Sequence, residues 1–167
     1  MANRTAWAAG TLAPTYTSAF IAADLNALPS LAAVMSTTSF DNTVATIGTP
    51  DQFMDVSFVG AFAAAQTVAA GAGIAIFIYA LAHDGSSFGS QRLVAGVQRS
   101  PFSPLQNPIG GIPLDLDTGV TTFAGTCLGV AIPPRAFKLA VQNQTGFAWA
   151  ASGCSCSIVT YRQATNA

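Results

Sequence analysis

Twenty-seven consecutive residues, 56–82, contain no Asp, Glu, Lys, Arg or His. The stretch runs from Val56 through Ala82, long enough for a helix to cross a bilayer. Its Ala and Gly content suits a membrane helix, and Arg92 and Arg99 follow it. Three features favour strands instead. "AAAQTVAAGAG" is only mildly apolar and holds Gln66 and Thr67; Gly71 and Gly73 interrupt it, at an entropic cost to a helix interior; and "IAIFIY" is β-branched and aromatic. The stretch therefore reads as two core strands, 53–62 and 74–82, joined by small residues around 64–73. A membrane helix spanning Val56 to Ala82 is the competing reading.

Low charge is a property of the whole chain. Of its 167 residues 51% are hydrophobic and 8% charged, against roughly 25% charged in an average domain. There is no Glu, and Lys138 is the one Lys. Acids and bases are scattered and nearly balanced at net charge −1, so no basic patch marks a nucleic-acid site. So little charge favours association, and a homo-oligomer is expected. The first twenty residues lack the apolar run of a signal peptide, so synthesis and retention in the cytoplasm are expected. On that reading the N-x-[ST] matches at Asn3 and Asn143 carry no glycan. Cys127, Cys154 and Cys156 are then free thiols.

Residues 1–50 read as an N-terminal arm with one short helix, about 18–28. Thr17 or Ser18 would cap it, Phe20, Ile21, Asp24, Leu25 and Leu28 give it an apolar stripe, and Pro29 stops it. Residues 51–167 read as one β domain. Strands are predicted at 92–98, 120–132, 136–143, 147–151 and 155–162, besides the two above. "RSPFSPLQNPIGGIP" reads as a long loop without a ladder. In 136–143, Phe137, Leu139 and Val141 share one face. In 155–162, Cys156, Ile158 and Thr160 oppose Ser157, Val159 and Tyr161. About eight short strands between turns predict an antiparallel sandwich or barrel, and eight is the jelly-roll number.

The sharpest chemical motif is Asp117-Thr118-Gly119 in "LDLDTGV". Asp-Thr-Gly is the signature of retroviral-type aspartic proteases. There two chains each supply one Asp and the pair shares a proton, so Asp117 would be the catalytic acid, braced by Thr118 and Gly119. The same tripeptide is a common turn, and no flap or later brace accompanies it. Cys154-x-Cys156, with Cys127 and His83, lacks the second paired motif that zinc sites carry. Buried thiols that pack as small apolar groups explain them better. His83 beside Asp84-Gly85 reads as a solvated turn residue. No phosphate-binding glycine loop is present. The residues thus point to no catalytic, cofactor-binding or metal-binding role.

Five segments in order, "AADLNALPS", "FDNT", "DVSFVGAF", "AAGAGIAIFIYALAHDGSSFG" and "IPPRAFKLAVQNQTGFAWAASGCSCSIVTYR", resemble small virion structural proteins of tailed bacteriophages. The resemblance covers about residues 18–163 and consists of short motifs. It implies a jelly-roll-like sandwich with no catalytic residues. The expected function is non-enzymatic: a capsid decoration or cement protein that binds and stabilises the phage head shell. A tail or fibre component is the alternative. The implied partners are the major capsid protein or other virion proteins, with no nucleic acid and no membrane. The implied location is the virion, after synthesis in the host cytoplasm.

Overall fold

The computed structural model describes residues 4–44, 48–82, 85–88, 93, 95–99, 108–114 and 117–166. Among these, ten strands and one short helix follow in the order β1 (Arg4–Ala9), β2 (Thr17–Ser18), α1 (Ala22–Leu25), β3 (Ala33–Met35), β4 (Phe40–Asp41), β5 (Phe53–Val68), β6 (Gly73–Ala80), β7 (Gly110–Pro113), β8 (Asp117–Ala131), β9 (Ala136–Gln144) and β10 (Ser155–Asn166). All strand pairs are antiparallel. They form two five-stranded sheets. Sheet A has the order β1-β10-β5-β8, with β2 also on β10; sheet B has the order β3-β9-β6-β7, with β4 also on β9.

One hydrophobic cluster joins the two sheets. Sheet A contributes Met54, Val56, Phe58, Cys156 and Ile158; sheet B contributes Ile74, Ile76, Phe137, Leu139 and Val141. The period-2 burial along β5 explains how a charge-free run stays a strand. Met54, Val56, Phe58 and Phe62 point inward, while the residues flanking Val56 and Phe58 are partly or fully exposed. In β6 both faces are apolar because both are covered. Ile74 and Ile76 enter the main cluster, and Ala75, Phe77 and Tyr79 form a second cluster with Ala33, Met35, Ala140 and Leu93. Phe88 and Ala95 pack against that second cluster, so described residues of the 85–99 region lie over the outer face of sheet B. Residues 95 and 99 also bridge to Met35 and Ala33 on β3.

The stretch 56–82 is thus β5 and β6 with a tight connection at 69–72, shorter than the expected 64–73. The membrane-helix alternative is corrected by this pairing: every residue of β6 has a partner on a neighbouring strand. No helix among the described residues is long and apolar enough to cross a membrane.

Several other expectations differ from the fold. The helix is one turn long, not 18–28. Thr17 and Ser18 do not cap it, because they pair with Ile158 and Ser157, and Ile21 takes the cap position without a side-chain bond. Residues 147–151 are not a strand: Trp149 makes an isolated bridge to Phe62 and is buried against Phe58, with ring centroids 4.9 Å apart. The proline-rich loop ends in a ladder, β7, with Pro113 on the sheet's edge where a missing N–H costs least.

Residues 1–50 are not an arm beside a finished domain. They supply β1 and β2 to sheet A, β3 and β4 to sheet B, and Ala19, Leu25, Leu28, Val34 and Phe40 to the core. The reason is pairing at long range: β1 and β2 complete the edge of β10, and β3 and β4 the edge of β9.

Candidate assembly surface

Among the described residues, the motifs singled out in the sequence do not converge. Asp117 opens β8 opposite Val68, where the β5–β8 register is irregular. Gly119 follows at φ 75°, a conformation that suits glycine, and nothing lies within 4 Å of where its side chain would start. The tripeptide therefore serves locally as an irregular strand start. Asp115, Leu116, His83, Asp84 and Arg92 lie outside the described residues, as does most of the proline-rich loop.

Cys154 and Cys156 are buried in the main cluster, and Cys127 on β8 is half-buried facing Gly110 of β7. Burial pushes the Cys156 thiol up to about 12. Burial also raises Cys154, against a lowering hydrogen bond with the Ala61 backbone. Such thiols stay protonated and unreactive at neutral pH. Among the described residues no group of three His, Cys, Asp or Glu side chains is placed to hold a metal ion. A groove of about 360 Å³ runs beside the β6–β7 pair. Its lining mixes glycine and proline with Ala and Ile, and Gln144 is the polar side chain.

A buried polar network escaped the sequence reading. The strand that pairs with β10 is interrupted between β1 and β2, and residues 10–13 bulge inward. Thr11 N and Leu12 N donate to the two Asp51 carboxylate oxygens at 3.0 and 2.8 Å. The Thr160 hydroxyl accepts from Ala13 N at 2.8 Å and donates to Asp51 at 2.6 Å. Arg162 stands 3.6 Å from the same carboxylate. Asn42 binds both the N–H and the C=O of Asp51 and the carbonyl of Pro133. Gly10 is required beside it, since any side chain there would strike Thr160 and the Asp51 carboxylate. The network ties residues 10–13, Asn42 and β10 to the segment just before β5.

A second polar knot holds the chain between β9 and β10. Asn143 donates to the carbonyls of Leu28 and Phe147 and accepts from the N–H and hydroxyl of Thr145. Asn143 is fully buried. It ties the turn after α1 to the loop that delivers Trp149.

The outer face of sheet A is different in kind from that of sheet B. Cross-strand partners put Ala124, Val59 and Ser155 in one row, Thr126, Ser57, Ser157 and Ser18 in the next, then Asp55 beside Val159, then Phe53 and Tyr161. Leu128 on β8 is 71% exposed, Trp7 on β1 63% and Val59 44%. Trp7 meets the rings of Phe53 and Tyr161 edge-on at 5.5 and 5.4 Å, and those two rings stack at 5.8 Å. Asp55 is the one charge in these rows. Its carboxylate accepts from the Tyr161 hydroxyl at 3.0 Å and from Gly129 N at 2.9 Å. Burial, then the Asp55 hydrogen bond and charge, raise the Tyr161 phenol.

The chain matches no protein-family model, no curated protein and no solved structure.

Proposed function

We propose that this chain is a non-enzymatic structural protein of a virion, a jelly-roll subunit that decorates or cements the phage head shell. The observation that carries the reading is the nesting of the strand pairs. β1 pairs with β10, β3 with β9, β5 with β8 and β6 with β7. With β2 continuing β1 and β4 continuing β3, eight strand units pair first with last, inward to the middle. A long hairpin rolled up in that way gives two four-stranded sheets facing each other, which is the jelly-roll plan. Jelly rolls build viral capsids among other proteins, so the fold supports the role by analogy.

Two further features support it. The motifs that resemble phage virion proteins fall on structural positions: "IAIFIY" in the doubly covered β6 and "AVQNQTG" at the Asn143 knot. The buried carboxylate Asp51 and the buried thiols of Cys154 and Cys156 serve the fold itself, in the Asp51 network and in the main cluster. The test is addition of purified protein to shells assembled without it. Saturable co-sedimentation with the shells is the expected result; protein left in the supernatant at every concentration would refute the role.

A further inference from the structure

The two sheets present unequal outer faces. The chain covers sheet B itself, with Leu93, Phe88 and Ala95 over Phe77, Tyr79 and Met35. Nothing among the described residues does this for sheet A, although Leu128, Trp7 and Val59 stand out from it. An antiparallel sheet facing water normally alternates apolar residues with charged or strongly polar ones. Here the outward positions at the centre are Ser, Thr, Ala and Val, and the single carboxylate, Asp55, already has two donors.

We infer that the outer face of β8-β5-β10-β1 is the contact surface for a second copy of this chain, packed sheet to sheet. The inference deepens the structural-subunit reading by naming its self-contact. Charge and area both select a second copy. First, charge: the face is nearly neutral, so an identical face meets it without the like-charge repulsion that opposes self-association. A strongly charged partner finds no complement there. Second, area: the β8-β5-β10 rows, with the β1-β10 rows that continue past Tyr161, span roughly 600 Å² per copy at about 4.8 Å between strands and about 3.3 Å per residue. A pair then buries roughly 1,200 Å², the lower bound of a specific interface. The small Ser57, Ser157 and Thr126 side chains at the centre let two sheets approach to about 10 Å, the usual face-to-face spacing. Leu128, Val59 and Trp7 supply the apolar contact around them.

The test is sedimentation equilibrium of the full chain over a concentration series, with two variants. Val59→Lys with Leu128→Lys puts lysines on both sides of the contact and is expected to raise the dimer Kd at least about 100-fold. Val97→Lys, equally exposed but beside β3, is expected to leave Kd unchanged. Retention of the wild-type thermal transition shows that the double variant folds. A second probe needs no lysine: Ser157→Cys in a Cys127→Ser background is expected to form an intermolecular disulfide on mild oxidation. A wild-type chain that stays monomeric to its solubility limit overturns the inference. So does a folded double variant that associates as well as wild type, or a Ser157→Cys variant that cross-links to a shell protein in place of a second copy. Monomeric protein that still co-sediments with shells overturns this contact alone and leaves the decoration role standing.

Discussion

The Thr160 hydroxyl donates a 2.6 Å hydrogen bond to the Asp51 carboxylate, and both residues are buried. The bond joins the last strand to the segment just before β5, across the break between β1 and β2. Buried carboxylates are tolerated only when their oxygens are filled, and Asp51 accepts from two backbone N–H groups and one hydroxyl, with the Arg162 guanidinium 3.6 Å away as its ion-pair partner. Asp51→Ala is expected to lower stability by about 3–5 kcal/mol, since Thr11 N and Leu12 N lose their acceptor. Thr160→Val is expected to cost about 1–2 kcal/mol. The double variant is expected to cost less than the sum, by about 1 kcal/mol or more, because both act on one network. Equilibrium urea unfolding of the four proteins gives all three values.

Alkaline pH is expected to destabilise the fold through its thiols. The Cys156 thiol is held near 12 in the fold against an ordinary value of 9.0, so the folded chain keeps a proton that the unfolded chain loses. The stabilisation is complete below pH 9 and falls as pH rises from there toward 12. The slope from this one group is about 1.4 kcal/mol per pH unit. Cys154 and Tyr161, both raised, act in the same direction. Unfolding free energies from pH 8 to 11 are expected to fall less steeply for Cys156→Ala than for wild type. A parallel pair of curves would remove Cys156 from the account.

Removal of residues 1–50 is expected to unfold the chain, not to release a free sandwich. The cut exposes the pairing edges of β9 and β10 and takes Leu25, Leu28, Val34 and Phe40 out of the core. Those four side chains contribute roughly 6–12 kcal/mol of burial, comparable to the whole stability of a typical domain, about 5–15 kcal/mol. Loss of a cooperative thermal transition, followed by near-UV circular dichroism, checks this.

How much of this was legible depended on where each segment finds its partners. β9 and β10 alternate by themselves, so Phe137, Leu139 and Val141, and Cys156, Ile158 and Thr160, declared their faces from sequence alone. β6 could be read as a core strand from its β-branched and aromatic composition. β1 to β4 were not legible as strands. They are two to six residues long, and their order comes from pairing with residues more than 90 positions away. Ala, Thr and Ser show no period by which such pieces could be found. Trp149 misled in the opposite way: "FAWAA" alternates like a strand, but its tryptophan fills the space beside Phe58 and Phe123. The Asp51 network left no local mark either, since its donors lie about 40 and 110 positions from it. Asp117-Thr118-Gly119 was the loudest motif, and structurally it is an irregular strand start.

Quantitative mass spectrometry of particles tests the decoration role itself. The particles would be those of a tailed phage whose genome encodes this chain, purified from infected cells through two successive density gradients. A decoration protein is expected in the particle band, in a fixed multiple-copy ratio to the shell protein that survives the second gradient. Absence from the band, or a ratio that falls between gradients as a contaminant's does, would contradict the role.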